Sequence, residues 1–178
     1  MKKLADFMKN ILLIFELVFA IIFYNWEKVL FVGVVALDQI TKAIVMREFV
    51  PGESIPILQD IFHLTYVLNP GAAFGILSNQ RMFLLVTGAI LILATIYFYP
   101  LLKKSDGFLR LGVTAILSGA VANLIDRIQT GCVVDFFDFR IWPVFNIADI
   151  AIVLGMFFTI YAILFRLDDS RKVERIRE

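Results

Sequence analysis

Histidine and cysteine are nearly absent from this 178-residue chain, which contains one residue of each, His63 and Cys132. A single cysteine excludes an internal disulfide, and one histidine with one cysteine argues against a His/Cys zinc site. The GxSxG and HExxH patterns of serine and zinc hydrolases are also missing. Basic residues form no continuous stripe, so nothing points to nucleic acid as a partner.

Apolar residues are abundant instead. The chain is 60% hydrophobic and only 19% charged, whereas a soluble domain is about 45–50% apolar. The excess lies in runs of about 18–22 residues, close to the length that a helix needs to cross a bilayer. We predict four membrane-spanning helices, at residues 29–46, 82–102, 108–125 and 144–165.

Basic residues cluster at the ends of these runs. One group lies in the loop between the second and third spans and at the start of the third: Lys103, Lys104 and Arg110. A second follows the last span and a third precedes the first: Arg166, Arg171, Lys172, Arg175 and Arg177; Lys2, Lys3 and Lys9. With four spans all three groups fall on one side, so both termini are predicted to be cytoplasmic. We expect an apolar extension at 1–28, interfacial or continuing the first span, a four-span domain at 29–168 and a basic tail at 169–178.

Two polar segments are predicted on the opposite, outer side. In the first, FHLTYVLN at 62–69 alternates apolar and polar side chains, which is typical of a half-buried strand. In the second, Asp135 and Asp138 stand among aromatic and aliphatic residues. The first segment is therefore predicted to contain a strand on the outer side.

Polar side chains also occur inside the predicted spans, where hydrocarbon makes them costly. Asp38 and Lys42 are four residues apart, a spacing that favours an ion pair on one helix face. Asn123 and Arg127 share a face by the same spacing. Arg127 either pairs with a carboxylate of the following loop or anchors the helix end among lipid headgroups.

Asn146 and Asp149 have the spacing of a capping box at the start of the last span. Capping is compatible with catalysis, because the carboxylate is then held rigidly. If Asp135 and Asp149 lie close together they share one proton, so that one acts as base and the other as acid. Such a pair activates water to attack an amide without a metal. The same acids also suit a proton or cation transporter, and a scaffold without chemistry explains the caps and the small residues.

Five stretches together resemble the lipoprotein signal peptidase family, the bacterial signal peptidase II enzymes. In chain order they are DQITK at 38–42, LNPGAAFGIL at 68–77, GAVANLIDRI at 119–128, VVDFFDF at 133–139 and FNIADIAIVLG at 145–155. The resemblance covers roughly residues 29–168. It implies an α-helical integral membrane protein with four transmembrane helices, a small extracytoplasmic β-element and a short outer amphipathic helix.

The resemblance further implies an aspartic endopeptidase of the bacterial inner membrane. Such an enzyme removes signal peptides from diacylglyceryl-modified prolipoproteins, cutting N-terminal to the lipidated cysteine, and its partners are these substrates and membrane lipids. The implied catalytic pair is Asp135 and Asp149. The implied substrate-binding residues are Asn69, Gly71, Asn123, Arg127 and Asn146. The implied supporting residues are Asp38, Lys42, Ala73, Asp126 and Asp138. We expect no metal or other cofactor, a monomer, and an active site near the outer face.

Overall fold

The structure is a computed structural model that describes residues 25–71 and 80–166. The predicted extension up to residue 24, Ala73 and the basic tail at 169–178 lie outside the described residues. Four long helices are present: α1 (Trp26–Glu48), α2 (Arg81–Leu102), α3 (Gly107–Gln129) and α4 (Ile147–Tyr161), which continues into a π-helical segment (Ala162–Arg166). Each is long and apolar enough to cross a membrane, which confirms the predicted fold class.

A three-stranded antiparallel sheet accompanies the helices. Its strands are β1 (Ser54–Leu58), β2 (Phe62–Asn69) and β3 (Val133–Asp138), in the order β1-β2-β3. Strand β2 coincides with the alternating stretch that predicted it. The sheet lies at one end of the helix bundle, hereafter the sheet end, because its strands follow α1 and α3 in the chain and precede α2 and α4. No short amphipathic helix occurs within residues 25–71 and 80–166.

Helix α3 is central and packs against the other three helices. Its contact with α4 depends on glycines, since the backbones of Gly112 and Gly155 approach each other closely. Helix α2 packs mainly against α3, and none of its residues is buried. A bundle whose outer surface is this apolar is stable only in lipid.

The sheet is fixed to the helices by a small apolar core. Val45 near the end of α1 packs with Tyr66 of β2 and with Val134 and Phe136 of β3. Around this core the chain turns from helix to strand at the sheet end. The first half of β3 is consequently held against the ends of the helices.

Replacing Gly112 by alanine tests the close contact between α3 and α4. The added methyl would lie 2.6 Å from Thr159 N and 2.7 Å from Gly155 O, and these backbone atoms cannot rotate away. We expect a loss of about 1–3 kcal/mol in the free energy of unfolding. Gly33→Ala is the matched control, because nothing lies within 4 Å of its added methyl. Unfolding by denaturing detergent, followed by circular dichroism, measures both; equal stability would contradict the close packing.

Candidate active site

Asp135 is buried in strand β3, with 2% of its surface exposed. Its Oδ2 accepts a hydrogen bond of 3.0 Å from Asn69 Nδ2 on β2. Its Oδ1 accepts one of 2.7 Å from Asn146 Nδ2, at the start of α4. Amides from two different elements therefore hold both carboxyl oxygens, which fixes the plane of the group.

Burial changes the protonation of Asp135. Removal from water raises the pKa of this carboxyl to about 7, and the negative charge of Asp149 acts in the same direction. Hydrogen bonds from Asn69 and Asn146, and the positive charge of Lys42, oppose this rise without cancelling it. The carboxyl therefore keeps its proton to a higher pH than an ordinary aspartic acid does.

Asp149 lies in the first turn of α4 and forms the predicted capping box with Asn146. Asn146 Oδ1 accepts a hydrogen bond of 2.9 Å from Asp149 N, and Asp149 Oδ2 accepts one of 3.2 Å from Asn146 N. Because the Asn146 amide also donates to Asp135, one residue contacts both carboxylates. The structure thus brings together the two aspartates that the sequence singles out.

Asn123 of α3 contacts the second carboxylate. Its Nδ2 donates a hydrogen bond of 2.9 Å to Asp149 Oδ1. Its Oδ1 accepts from Lys42 Nζ at 2.9 Å and from Asn146 Nδ2 at 3.1 Å. Two donors on its oxygen fix the orientation of the amide, so its N–H groups must face Asp149.

Lys42 is 1% exposed, and the ion pair predicted with Asp38 is confirmed at 2.7 Å. The sequence did not predict that Asp126 of α3 also lies 2.7 Å from the same ammonium. Gln39 was missed as well: its Nε2 donates to Asp126 Oδ1 at 2.8 Å and to Ala122 O at 3.2 Å. The position of Gln39 inside the DQITK stretch was the sequence feature that could have identified it.

The two carboxylates of this network also bind backbone groups of the site. Asp38 Oδ1 accepts a hydrogen bond of 2.8 Å from Ala148 N in α4. Asp126 Oδ2 accepts one of 3.2 Å from Val134 N in β3. The network thereby joins α1 and α3 to the two elements that carry the aspartate pair.

The prediction that Arg127 pairs with a carboxylate of the following loop is wrong. Its Nη2 donates at 2.8 Å to Gly71 O, and its Nη1 at 3.3 Å to Asn123 O. None of the ion pairs between described residues includes it. The guanidinium instead donates to two backbone carbonyls, one in the turn after β2 and one in α3. Its buried Nε has no partner among the described residues.

Gly71 and Asn69 form one turn, in which Gly71 N donates to Asn69 Oδ1 at 2.9 Å. Asp138 lies at the other end of β3, away from the aspartate pair. Its Oδ2 accepts from the Thr65 hydroxyl at 2.8 Å and from Arg140 Nη1 at 3.0 Å. Asp138 therefore stabilises the outer part of the sheet and the turn that follows it.

A cavity of about 1220 Å³ opens beside the aspartate pair. Its walls come from α2, α3 and α4, and at the sheet end from β2, β3 and residues 142–145. Most of its lining is apolar, and its polar lining includes Asn69, Thr87, Asn123, Arg127, Asp135 and Asp149. Residues 25–71 and 80–166 contain no group of three His, Cys, Asp or Glu residues that could hold a metal ion. The site presents two carboxyls, those of Asp135 and Asp149, to a mostly apolar cavity.

Comparison with known proteins gives a consistent result. Residues 30–165 match the family model described as signal peptidase (SPase) II. The lipoprotein signal peptidase of Halothermothrix orenii is 50% identical over 123 residues, 68% of this chain and 83% of that protein. That of Moorella thermoacetica is 49% identical over 134 residues, 74% of this chain and 87% of that protein. A solved structure described as a bacterial membrane enzyme superposes with a TM-score of 0.74 at 34% identity, covering 83% of this chain and 92% of that one.

The buried network makes a stability prediction. We expect Lys42→Met to lower the free energy of unfolding by about 3–5 kcal/mol, because two buried carboxylates lose their counter-charge. Adding Asp126→Asn removes one of those charges and should recover part of the loss.

The exposed pair Arg47–Glu48, 2.6 Å apart with side chains 82% and 51% exposed, supplies the control. Glu48→Gln should change the same free energy by less than about 1 kcal/mol. Detergent-induced unfolding of all three variants gives the comparison. A Lys42→Met protein as stable as Glu48→Gln would show that the buried charges do not support the fold.

Proposed function

This chain belongs to the signal peptidase II family, and we propose that it is an aspartic endopeptidase in which Asp135 and Asp149 activate water. Membership makes it a multi-pass bacterial membrane protease that removes signal peptides from prolipoproteins. The proposal adds the catalytic pair, cleavage N-terminal to the lipidated cysteine and the diacylglyceryl group as part of the substrate. One observation carries it: two carboxyls from different elements contact the same asparagine at the wall of an apolar cavity.

The raised pKa of Asp135 supports a division of roles. In the proposed reaction Asp149, as carboxylate, takes a proton from water while the oxygen attacks the carbonyl carbon of the scissile amide. Protonated Asp135 gives its proton to the carbonyl oxygen, so a neutral tetrahedral intermediate forms. As the C–N bond breaks, Asp149 returns its proton to the leaving amine, and the re-forming carbonyl returns the other to Asp135.

The remaining polar residues are proposed to orient the substrate and the pair. Asn69 and Asn146 hold Asp135, and Asn123 holds Asp149. The buried Nε of Arg127 is suited to a carbonyl oxygen of the substrate backbone, since it has no partner among the described residues. Such preorganised donors lower the barrier because they need no rearrangement during the reaction.

The apolar cavity is proposed to take the acyl chains and the apolar part of the signal peptide. Its side walls, α2 and α4, both expose apolar side chains along their length, so a lipid-anchored substrate can enter from the bilayer. Lys103 and Lys104 lie at the opposite end of the bundle from the sheet. By the positive-inside rule we place both termini in the cytoplasm and the sheet end at the outer face. One chain supplies both carboxyls, so the proposed reaction needs no second copy.

Asparagine substitutions test the catalytic pair. We expect Asp135→Asn and Asp149→Asn each to lower kcat/KM for a diacylglyceryl-modified prolipoprotein at least about a hundredfold, because the acid or the base is lost. Asp60→Asn is the control: Asp60 is exposed in the β1–β2 turn at φ 60°, which asparagine also tolerates. Cleavage in detergent, with folding checked by circular dichroism, measures all three. Normal cleavage by either pair variant would refute the assignment.

The pH dependence gives a separate test. Asp135 must be protonated to act as the acid, and its pKa is about 7. We expect cleavage to fall as pH rises through about 7, approaching a tenfold loss per pH unit above it. Initial rates of the wild-type enzyme across the neutral range measure this. A rate that rises through the same range would assign the titrating group to the base.

A further inference from the structure

The turn after β3 presents an apolar tip to its surroundings. Ile141 is 94% exposed and Trp142 is 58% exposed, values far above those of the neighbouring strand. A fully exposed isoleucine followed by an exposed tryptophan is unfavourable in water. Hereafter, residues 140–142 are called the tip.

The conformation of the tip is held in place by hydrogen bonds. Arg140 has a φ of 65°, a left-handed value that a residue with a side chain rarely adopts, and Ile141 N donates to Phe139 O at 2.7 Å. Asp138 accepts from Arg140 N at 2.8 Å and from its guanidinium at 3.0 Å. Just before the tip, the ring of Phe139 stacks on that of Phe145, with ring centroids 5.9 Å apart. These contacts anchor the base of the turn while Ile141 projects away from the protein.

The position of the tip indicates what it contacts. Trp142 lines the cavity that contains Asp135 and Asp149, so the tip stands at the cavity mouth. Helix α4, one of the membrane-crossing helices, begins only five residues later at Ile147. The exposed apolar surface of the tip therefore continues the lipid-facing surface of the bundle. Tryptophan is enriched at the membrane–water interface, and arginine there reaches the headgroups.

We propose that the tip inserts into the lipid bilayer at the mouth of the cavity. Ile141 and Trp142 lie among the acyl chains just below the headgroups, and the half-exposed guanidinium of Arg140 lies at the phosphates. Asp138 is then a positioning residue for the tip. The inference deepens the proposed function on which it rests, because it sets the aspartate pair at the depth where a lipid-anchored peptide meets water.

Tryptophan fluorescence tests the depth of the tip. The chain has two tryptophans, and Trp26→Phe leaves Trp142 as the only one while keeping a ring beneath Arg110, whose guanidinium carbon lies 5.3 Å from the Trp26 centroid. The full chain is placed, one copy per disc, in bilayer discs of phosphatidylcholine and phosphatidylglycerol. We expect blue-shifted emission, weak quenching by aqueous iodide and strong quenching by lipids brominated near the headgroup.

Two substitutions of Ile141 in this background sharpen the test. Ile141→Asp should lose about half of the bromolipid quenching and gain iodide quenching, whereas Ile141→Leu should match the parent. Thermal unfolding of each variant checks its fold. Emission that is accessible to iodide and insensitive to brominated lipid would overturn the proposal. A blue shift that occurs only when lipidated substrate is added would also overturn it, because the tip would then be a substrate contact. A blue shift that occurs only in discs loaded with two copies would do the same, because the tip would then be a self-association surface.

The depth measurement requires no catalysis, so it separates the two proposals. If the tip is exposed to water and the protein cuts prolipoprotein, the membrane insertion is refuted and the proposed function stands. If the tip is buried in lipid and the protein does not cut prolipoprotein, the proposed chemistry is refuted and the membrane insertion stands.

Discussion

The buried ammonium of Lys42 is the interaction on which the arrangement of the site depends. An isolated charge in a low-dielectric interior is very costly, so its carboxylate partners must stay in place. Each partner also holds a backbone group: Asp126 binds the N–H of Val134, and Asp38 binds the N–H of Ala148. These two residues immediately precede Asp135 and Asp149 in the chain. Both members of the pair are thereby located relative to one cation.

The same network shapes the charge of the site. One ammonium faces two carboxylates, Asp38 and Asp126, so the network is net negative when all three are ionised. A further negative charge on each of Asp135 and Asp149 would be unfavourable beside this network, and this favours one retained proton. The protonated Asp135 fits that requirement, since burial raises its pKa to about 7. In the proposed reaction, the same environment keeps this proton available for donation near neutral pH.

Much of the fold was predictable from sequence because its signals are local. Long apolar runs predict the four helices, and the alternation of apolar and polar side chains predicts β2. Spacings of three and four residues predict the Asn146–Asp149 capping box and the Asp38–Lys42 pair, since both form within one helix or at its end.

The unpredicted contacts join residues far apart in the chain. Asp126 lies 2.7 Å from Lys42 across 84 positions of sequence, and Gly71 O binds Arg127 across 56. No periodicity links such residues, so a nearby loop carboxylate was the natural but wrong partner for Arg127. The same limit applies to the tip after β3. Its exposure depends on how Asp138 holds Arg140, which the sequence pattern does not show.

The lipid-anchored substrate proposed for this site would impose two opposed demands, and the position of the sheet suits both. The acyl chains need an apolar cavity, whereas hydrolysis needs water and two polar carboxyls beside it. A carboxyl in the middle of a membrane-crossing helix would lie in the hydrocarbon region, where a charged side chain is costly. Supplying Asp135 from a strand with paired backbone, and Asp149 from the first turn of α4, puts them at the end of the bundle. The stability cost of burying Asp135 grows as pH rises from its ordinary pKa of 3.8 to about 7, because the folded state favours the protonated form. The Lys42 network holds the backbone next to Asp135 and Asp149 in place despite this cost.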